Sequence, residues 1–533
     1  MMSNSVLPKT RGRSRFIARP GTLLLVVLVV IVLLTLSAYT FTTLMQTELE
    51  AAQLNSRRIQ SKYLVDSGVN YARLMLSYDN PTIKEKGGLW DNEAFSAVPV
   101  SVEEDNPNAV GRFTIIAPNL DDNGNSASTR FGLIDESSKL NLNVLPIVDN
   151  YPPGEVAREL LLALPNMTEE IADAILDFLD EDDEIRELGP GAESDYYSSL
   201  NPPYKCKNGP LDSLDELLLV KGVTPELLFG NDLNRNGILE DEERNSETAL
   251  DDDMQLGWIN YLTLYSKESN LNDEGLVRVN INGEDLEQVY EDLGSAFDEQ
   301  WRLFVIMARV NGIMQASELP EGAEPVANAP FIDLDFDALE PTYAFGQVLD
   351  LIGTFTTLQD PASGEEIILQ SPLQLLDPTL GLKIIIALDN MTTYEGPAIP
   401  GRINIMQAPR RILEGIPFLT LDVVDEIILK RHGDFELLVP EGADLNRKYE
   451  TWLFTEGLID LETMRAIMPF VCTGGDVYKA EVVGYFDDEV GTSRAEVYLD
   501  TTQPLPRILS WIKKSHLQTG YSIDVLGRDL IEE

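Results

Sequence analysis

From Pro20 to Thr47 the chain carries no charge, and Leu23 to Leu34 consist only of Leu, Val and Ile. A helix over that run is long enough to cross a hydrocarbon core of about 30 Å, which fixes one end of the molecule in a bilayer. Lys9, Arg11, Arg13, Arg15 and Arg19 precede the run, so the leader stays on the cytoplasmic side and the rest of the chain faces outward. A secretory signal places a small-residue cleavage site after its apolar part. Here Leu33-Leu34-Thr35-Leu36-Ser37-Ala38 passes into helix-compatible sequence instead, and the candidate cut, between Gly21 and Thr22, lies before the run. A plain signal anchor is the alternative.

The helix continues beyond the membrane. Ile59, Tyr63, Leu64, Gly68, Tyr71, Ala72 and Met75 recur at spacings of three and four, and no proline interrupts before Pro81. Residues 111–116 and 129–134 read as short strands joined by the turn-rich stretch 119–125. At the other end, 477–486 and 492–500 read as a hairpin around 487–491.

Between these strand regions lies an internal repeat. Lys139-Leu-Asn-Leu-Asn143, Arg278-Val-Asn-Ile-Asn282 and Arg402-Ile-Asn-Ile-Met406 each open a similar unit followed by helical sequence, over 155–180, 286–310 and 409–431. Thr168 is a helix N-cap without a full capping box, since Ile171 stands where Glu or Gln would complete it. Ser213 and Glu216 do form a box, and Thr224 caps a helix that has Pro225 at its first position. Residues 314–400 find no place in the repeat and read as an insertion of unknown fold with its own strands. The boundaries expected are therefore 1–21 leader, 22–78 membrane and stem helix, 79–150 strands, 151–265 first helical domain, 266–313 second repeat unit, 314–400 insertion, 401–475 further helical unit and 476–533 closing strands and tail.

The formal charge of the whole chain is −49. Such a field repels nucleic acid and anionic surfaces and draws in cations. The sharpest chemical motif runs from Asp232 to Glu243. Asp232, Asn234 and Asn236 supply side-chain oxygens at loop positions 1, 3 and 5, and Gly237 permits the tight turn. Ile238 offers a carbonyl, while Glu240 and Glu243 stand at positions 9 and 12. This pattern converges oxygens on a hard cation, Ca2+ in a structural role; a solvated acidic turn is the alternative. A weaker second cluster holds Asp177, Asp180, Asp182, Asp183, Glu193 and Asp195, which leaves open a second cation site, a two-metal hydrolytic centre or a solvated helix end. His432 and His516 lie in polar surroundings and read as surface residues, and neither a nucleophile elbow nor a phosphate loop stands out. Two cysteines, Cys206 and Cys472, allow a disulfide without establishing one.

A cut before the apolar run resembles the type IV pilin and pseudopilin leader. That resemblance implies cleavage after Gly21 by a prepilin peptidase and methylation of Thr22. Most pilins carry Glu at the fifth mature position, where this chain has Val26. A missing Glu is typical of the minor pseudopilin K family of type II secretion (general secretion pathway protein K). Residues Asp135-Glu-Ser-Ser-Lys-Leu-Asn-Leu-Asn143, Asp177-Phe-Leu-Asp180-Glu-Asp182, Gly191-Ala-Glu193 with Tyr197, and 210–226 resemble that family's motifs in order, with Phe178 where tryptophan is usual. The resemblance implies an α+β fold: a long N-terminal transmembrane and stem helix, a pilin-like antiparallel sheet, and inserted SAM-like or helix-hairpin-helix domains. It implies a non-enzymatic subunit of the inner membrane, single-pass, with its bulk in the periplasm. There it caps a pseudopilus with the I and J minor pseudopilins, alongside other pseudopilins and inner-membrane assembly components. The competing expectation is a membrane-anchored calcium-binding enzyme or adhesin with a pilin-like leader.

Overall fold

The computed structural model describes residues 20–527 apart from 104–105, 125, 150, 152–153, 187–188, 190, 245–255, 328–333, 360–363, 365, 432–446, 488–490 and 518–519. The leader up to Arg19 and His432 lie outside the described residues. One unbroken helix of 57 residues, Pro20–Leu76, carries the apolar run and the amphipathic stem together. At 1.5 Å per residue it is about 85 Å long. Leu23 to Leu34 are all exposed, as a lipid-facing span requires, whereas Ser61, Leu64, Val65, Val69, Ala72 and Met75 are buried.

The buried stripe keeps Leu64, Gly68, Ala72 and Met75 of the one the spacing predicts, with Tyr71 half-buried, and differs from it at one edge. Ile59 and Tyr63 are exposed, and Val65 and Val69 take the inward places. Gly68 explains the phase. A Cβ there would lie 2.4 Å from Val482 and 2.9 Å from Phe113, so the stem meets the sheet across a residue without a side chain. Glycine costs the helix roughly 1 kcal/mol relative to alanine, and close packing on the sheet offsets it.

The sheet is antiparallel. Its strands run in the order Val98–Glu103, Asn106–Leu120, Val477–Phe486, Ser493–Asp500 and Arg507–Lys513. The first strand expected from the sequence is longer than predicted: Asn106–Leu120 runs 15 residues and pairs with Ser126–Phe131. Ile134–Asp135 then separates as a short strand on Val477–Phe486. Strand alternation sorts the side chains into two layers. Phe113, Ile115, Val482 and Val497 pack on the stem, while Ile116, Val483 and Tyr485 face Tyr521, Ile523 and Leu526 on the opposite side.

Everything from Glu136 to Asp476 leaves the sheet and returns to it at neighbouring points, because Asp135 is paired with Tyr478. This excursion has one continuous core and is built from three like units. Each opens on a two-residue strand that is closed by a parallel partner: Leu140–Asn141 with Leu262–Thr263, Val279–Asn280 with Met391–Thr392, and Ile403–Asn404 with Val471–Cys472. In each, the first Asn folds back on the main chain: Asn141, Asn280 and Asn404 accept the amides of Asn143, Asn282 and Met406. A helix pair follows each opening, Val156–Leu162 with Glu169–Leu179, Leu286–Leu293 with Glu299–Asn311, and Arg410–Glu414 with Leu421–Arg431. Thr168 caps its helix through the amide of Ile171.

The stretch 314–400, expected as an insertion outside the repeat, is wound into the second unit. Asn143 clamps Leu211 through both main-chain groups, at 3.0 and 2.7 Å. Asn282 clamps Phe345 in the same way, at 2.8 and 2.9 Å. After each clamp a short 3-10 helix begins, with Glu216 accepting from the Ser213 amide and Asp350 from that of Gln347. Each helix ends near a glycine in the left-handed region, Gly222 or Gly353. The hairpin Phe355–Gln359 with Glu366–Gln370 is the extra part of this unit. Met406 replaces the clamping Asn in the third unit and cannot make the amide pair.

Candidate metal centres

The loop from Asp232 closes on itself as its spacing requires. Asp232, 2% exposed, accepts the amides of Asn236 at 3.1 Å and Gly237 at 2.7 Å. Asn236 accepts from Ile238 at 2.7 Å, and Glu243 accepts from Leu233 at 3.0 Å and Glu240 at 3.2 Å. Gly237 has φ +75°, where a Cβ would be strained and would also press on Pro118 at 2.9 Å. Glu240 receives the side-chain amides of Asn234 and Asn236. The Asn234 Oδ1 atom is shielded from water with no hydrogen-bond partner. Burial pushes Asp232 up to about 6. Burial, with Glu240 and Asp232 nearby, pushes Glu243 up to about 8. An orphaned oxygen among carboxylates that resist ionising together fits a divalent cation, which would satisfy the one and neutralise the others. Asp232, Asn234, Asn236 and Glu243 would hold it, with the Ile238 carbonyl.

What holds this loop from outside lies far from it in the chain and leaves no local sequence signal. Arg494 donates to the Asn234 carbonyl at 2.8 Å and to that of Arg235 at 2.5 Å. Lys514 reaches the Arg235 carbonyl at 2.9 Å, and the Tyr521 hydroxyl donates to that of Asn236 at 3.0 Å. Arg494 and Glu481, 2% and 4% exposed, form a buried ion pair on adjacent strands, and Glu481 lies 2.9 Å from the Tyr521 hydroxyl, whose one proton it shares with the Asn236 carbonyl. The loop is thus fastened to the sheet side of the molecule through three successive carbonyls.

The second cluster condenses to Asp177, Asp180 and Glu193, each of which offers one carboxylate oxygen within 4.8 Å of the other two. Asp177 accepts the amides of Ala192 at 2.8 Å and Arg186 at 3.3 Å. Gly191 is needed for this turn, since a Cβ would fall 1.8 Å from the Asp177 carboxylate. Glu193 is 2% exposed, and neither of its carboxylate oxygens has a hydrogen-bond partner; Asp180 Oδ1 is also buried and unpaired. Burial and the adjacent aspartates push Asp180 and Glu193 up to about 7. These oxygens too fit a bound cation. Asp182, Asp183 and Asp195 are exposed and stand outside the cluster: Asp182 caps the Glu184 amide, and Asp183 binds Ser194 and Asn208. Cys206 and Cys472 are both buried and free. His516 is exposed.

Residues 138–229, which contain this second cluster, match the family model for type II secretion system protein K. The chain is 24% identical over 216 residues to the "Putative type II secretion system protein K" of Escherichia coli (strain K12), a match covering 39% of this chain and 59% of that protein. It thus spans about three fifths of that relative's length. Among solved structures, a chain of the GspK-GspI-GspJ complex from the enterotoxigenic Escherichia coli type 2 secretion system aligns at 11% identity. The TM-score is 0.35, covering 87% of this chain and 98% of that one.

Proposed function

On the premise that the chain is a protein K-type minor pseudopilin, we propose that it sits at the tip of a type II secretion pseudopilus, initiates its assembly and supports export across the outer membrane. The observation carrying this reading is that a protein K domain, residues 138–229, leaves and rejoins an antiparallel sheet packed on a 57-residue helix with a charge-free membrane end. Bulk placed on one end of a stem suits the end of a filament. The I and J minor pseudopilins named in the related complex would be its partners, with other pseudopilins and inner-membrane assembly components.

In this reading the prepilin peptidase cuts after Gly21 and Thr22 is methylated, leaving the helix in the inner membrane and the remainder in the periplasm. Val26 suits a tip subunit, which has no subunit above it whose terminal amine needs a carboxylate. The role is structural, without catalysis. Ca2+ held at Asp232–Glu243, and a second cation at Asp177, Asp180 and Glu193, would stiffen the helical block. Co-expression with a prepilin peptidase tests the premise. Wild type should shorten by its leader and Gly21→Ala should not; identical mobility of the two would remove the pseudopilin reading. Calorimetric titration with Ca2+ tests the loop, since Glu243→Ala should lose one site; unchanged stoichiometry and affinity would sink that assignment.

A further inference from the structure

The three repeat units open on a basic residue, and among the described residues two of the three have a buried carboxylate to meet it. Lys139 lies 2.8 Å from Glu136. Arg402 grips Glu268 through two nitrogens, at 2.6 and 2.5 Å, and Glu450 through a third at 2.8 Å. Arg278, at the same place in the second unit, has no carboxylate within ion-pair distance among the described residues. Its Nε is shielded from water without a hydrogen-bond partner, and its guanidinium lies 5.6 Å from the Tyr449 ring centroid. Burial raises the carboxyls of Glu450 and Asp476, and the Arg278 charge is near enough to oppose that rise in part. Both are already held, Glu450 by Arg402 and Asp476 by the Ser269 amide at 2.6 Å.

Arg278 borders a cavity of about 310 Å³ at the junction of the units. Phe345, Val348, Met391 and Met468 give it an apolar wall, and Tyr394 also lines it. That volume is at the small end of sites that enclose a ligand. A guanidinium fork matches a carboxylate in geometry as well as charge. A neutral ligand would leave the fork unpaired. A dianion such as phosphate would meet Glu450 and Glu395 on the same lining.

We propose that this cavity binds a monocarboxylate with an apolar body, its anion on Arg278 and its body against Phe345, Val348 and Met391. The ligand supplies the second unit with the carboxylate that the first and third carry within the chain. A free organic acid and the C-terminal residue of a peptide share this chemistry.

The test uses the full chain in a non-ionic detergent, titrated calorimetrically with 3-phenylpropionate, its amide, and Ala-Ala-Phe with a free or an amidated terminus. Both acids should bind at least about tenfold more tightly than their amides, the size expected for a charge-assisted hydrogen bond. Arg278→Gln should bring the acids down to the amide level, and Arg278→Lys should restore part of the loss. A peptide acid tighter than phenylpropionate identifies a chain terminus as the natural ligand; equal affinity identifies a free acid. Equal binding of acid and amide overturns the proposal, as does millimolar acid that fails to bind. If Arg278→Gln does not fold, the acid and amide pair on the wild type still decides.

Discussion

The two acidic centres use similar side chains in different settings. Asp177, Asp180 and Glu193 lie within the helical block, on one helix and the turn that follows it. The loop from Asp232 to Glu243 lies on the seam, where Arg494, Lys514 and Tyr521 reach across from the sheet to its carbonyls. A cation in the first would stiffen one unit. A cation in the second would also decide how firmly that unit is fastened to the half formed by the stem and sheet. The same chemistry therefore has a local consequence in one place and a long-range one in the other.

The largest expected effect comes from breaking the seam. Arg494→Met strips Glu481 of its close partner, leaving Lys514 at 3.9 Å, and frees the Asn234 carbonyl, so it should destabilise the protein by about 3 kcal/mol. Urea unfolding would measure this, and Ca2+ affinity at the loop should fall in the same variant. If affinity is unchanged while stability drops, seam and loop are uncoupled.

Removing the cations is next. At a hundredfold excess over its dissociation constant, a ligand of the folded state contributes about 2.7 kcal/mol, so chelation should lower the melting temperature by about 3–4 °C for each site emptied. Glu193→Gln should divide the two centres. It should weaken binding at the interior site alone, yet stabilise the cation-free protein slightly, because it removes a buried charge that nothing pairs. Calorimetry with and without chelator reads both effects.

A smaller effect follows from pH. Asp180 and Glu193 stand at about 7 when folded, against about 4 for free carboxylic acids. The cation-free fold therefore holds more protons than the unfolded chain between pH 4 and 7, and its stability falls as pH rises through that window. Ca2+ competes with those protons. Its stabilising effect should be larger at pH 7.5 than at pH 5, and a pH-independent thermal shift would contradict the interior site.

The contrast between the centres also explains what could be read in advance. The loop was legible because its donors sit at fixed linear offsets, and Gly237 marks the turn. The interior cluster was legible only as a neighbourhood. Which carboxylates converge is set by the turn at Gly191 and the packing of Glu193, so Asp177 joins and Asp182, Asp183 and Asp195 do not. The grip of Arg494 on residues 234 and 235 links points more than two hundred residues apart in the chain, and no local pattern carries that. The span and stem were plain from periodicity, although the phase of the buried stripe depended on Gly68 meeting Val482 and Phe113. Residues 314–400 hid their kinship with the first unit because Gln347 and Asp350 replace the Ser213 and Glu216 of a stronger capping signal, and a hairpin then intervenes.

The central claim is that the chain occupies the tip of a pseudopilus. The most direct measurement is electron microscopy of isolated pseudopili carrying a gold-labelled tag on the C-terminus of this chain. The account predicts label at one end of each filament and none along its length. Label distributed along the shaft, or filaments that form normally without this chain, would contradict it.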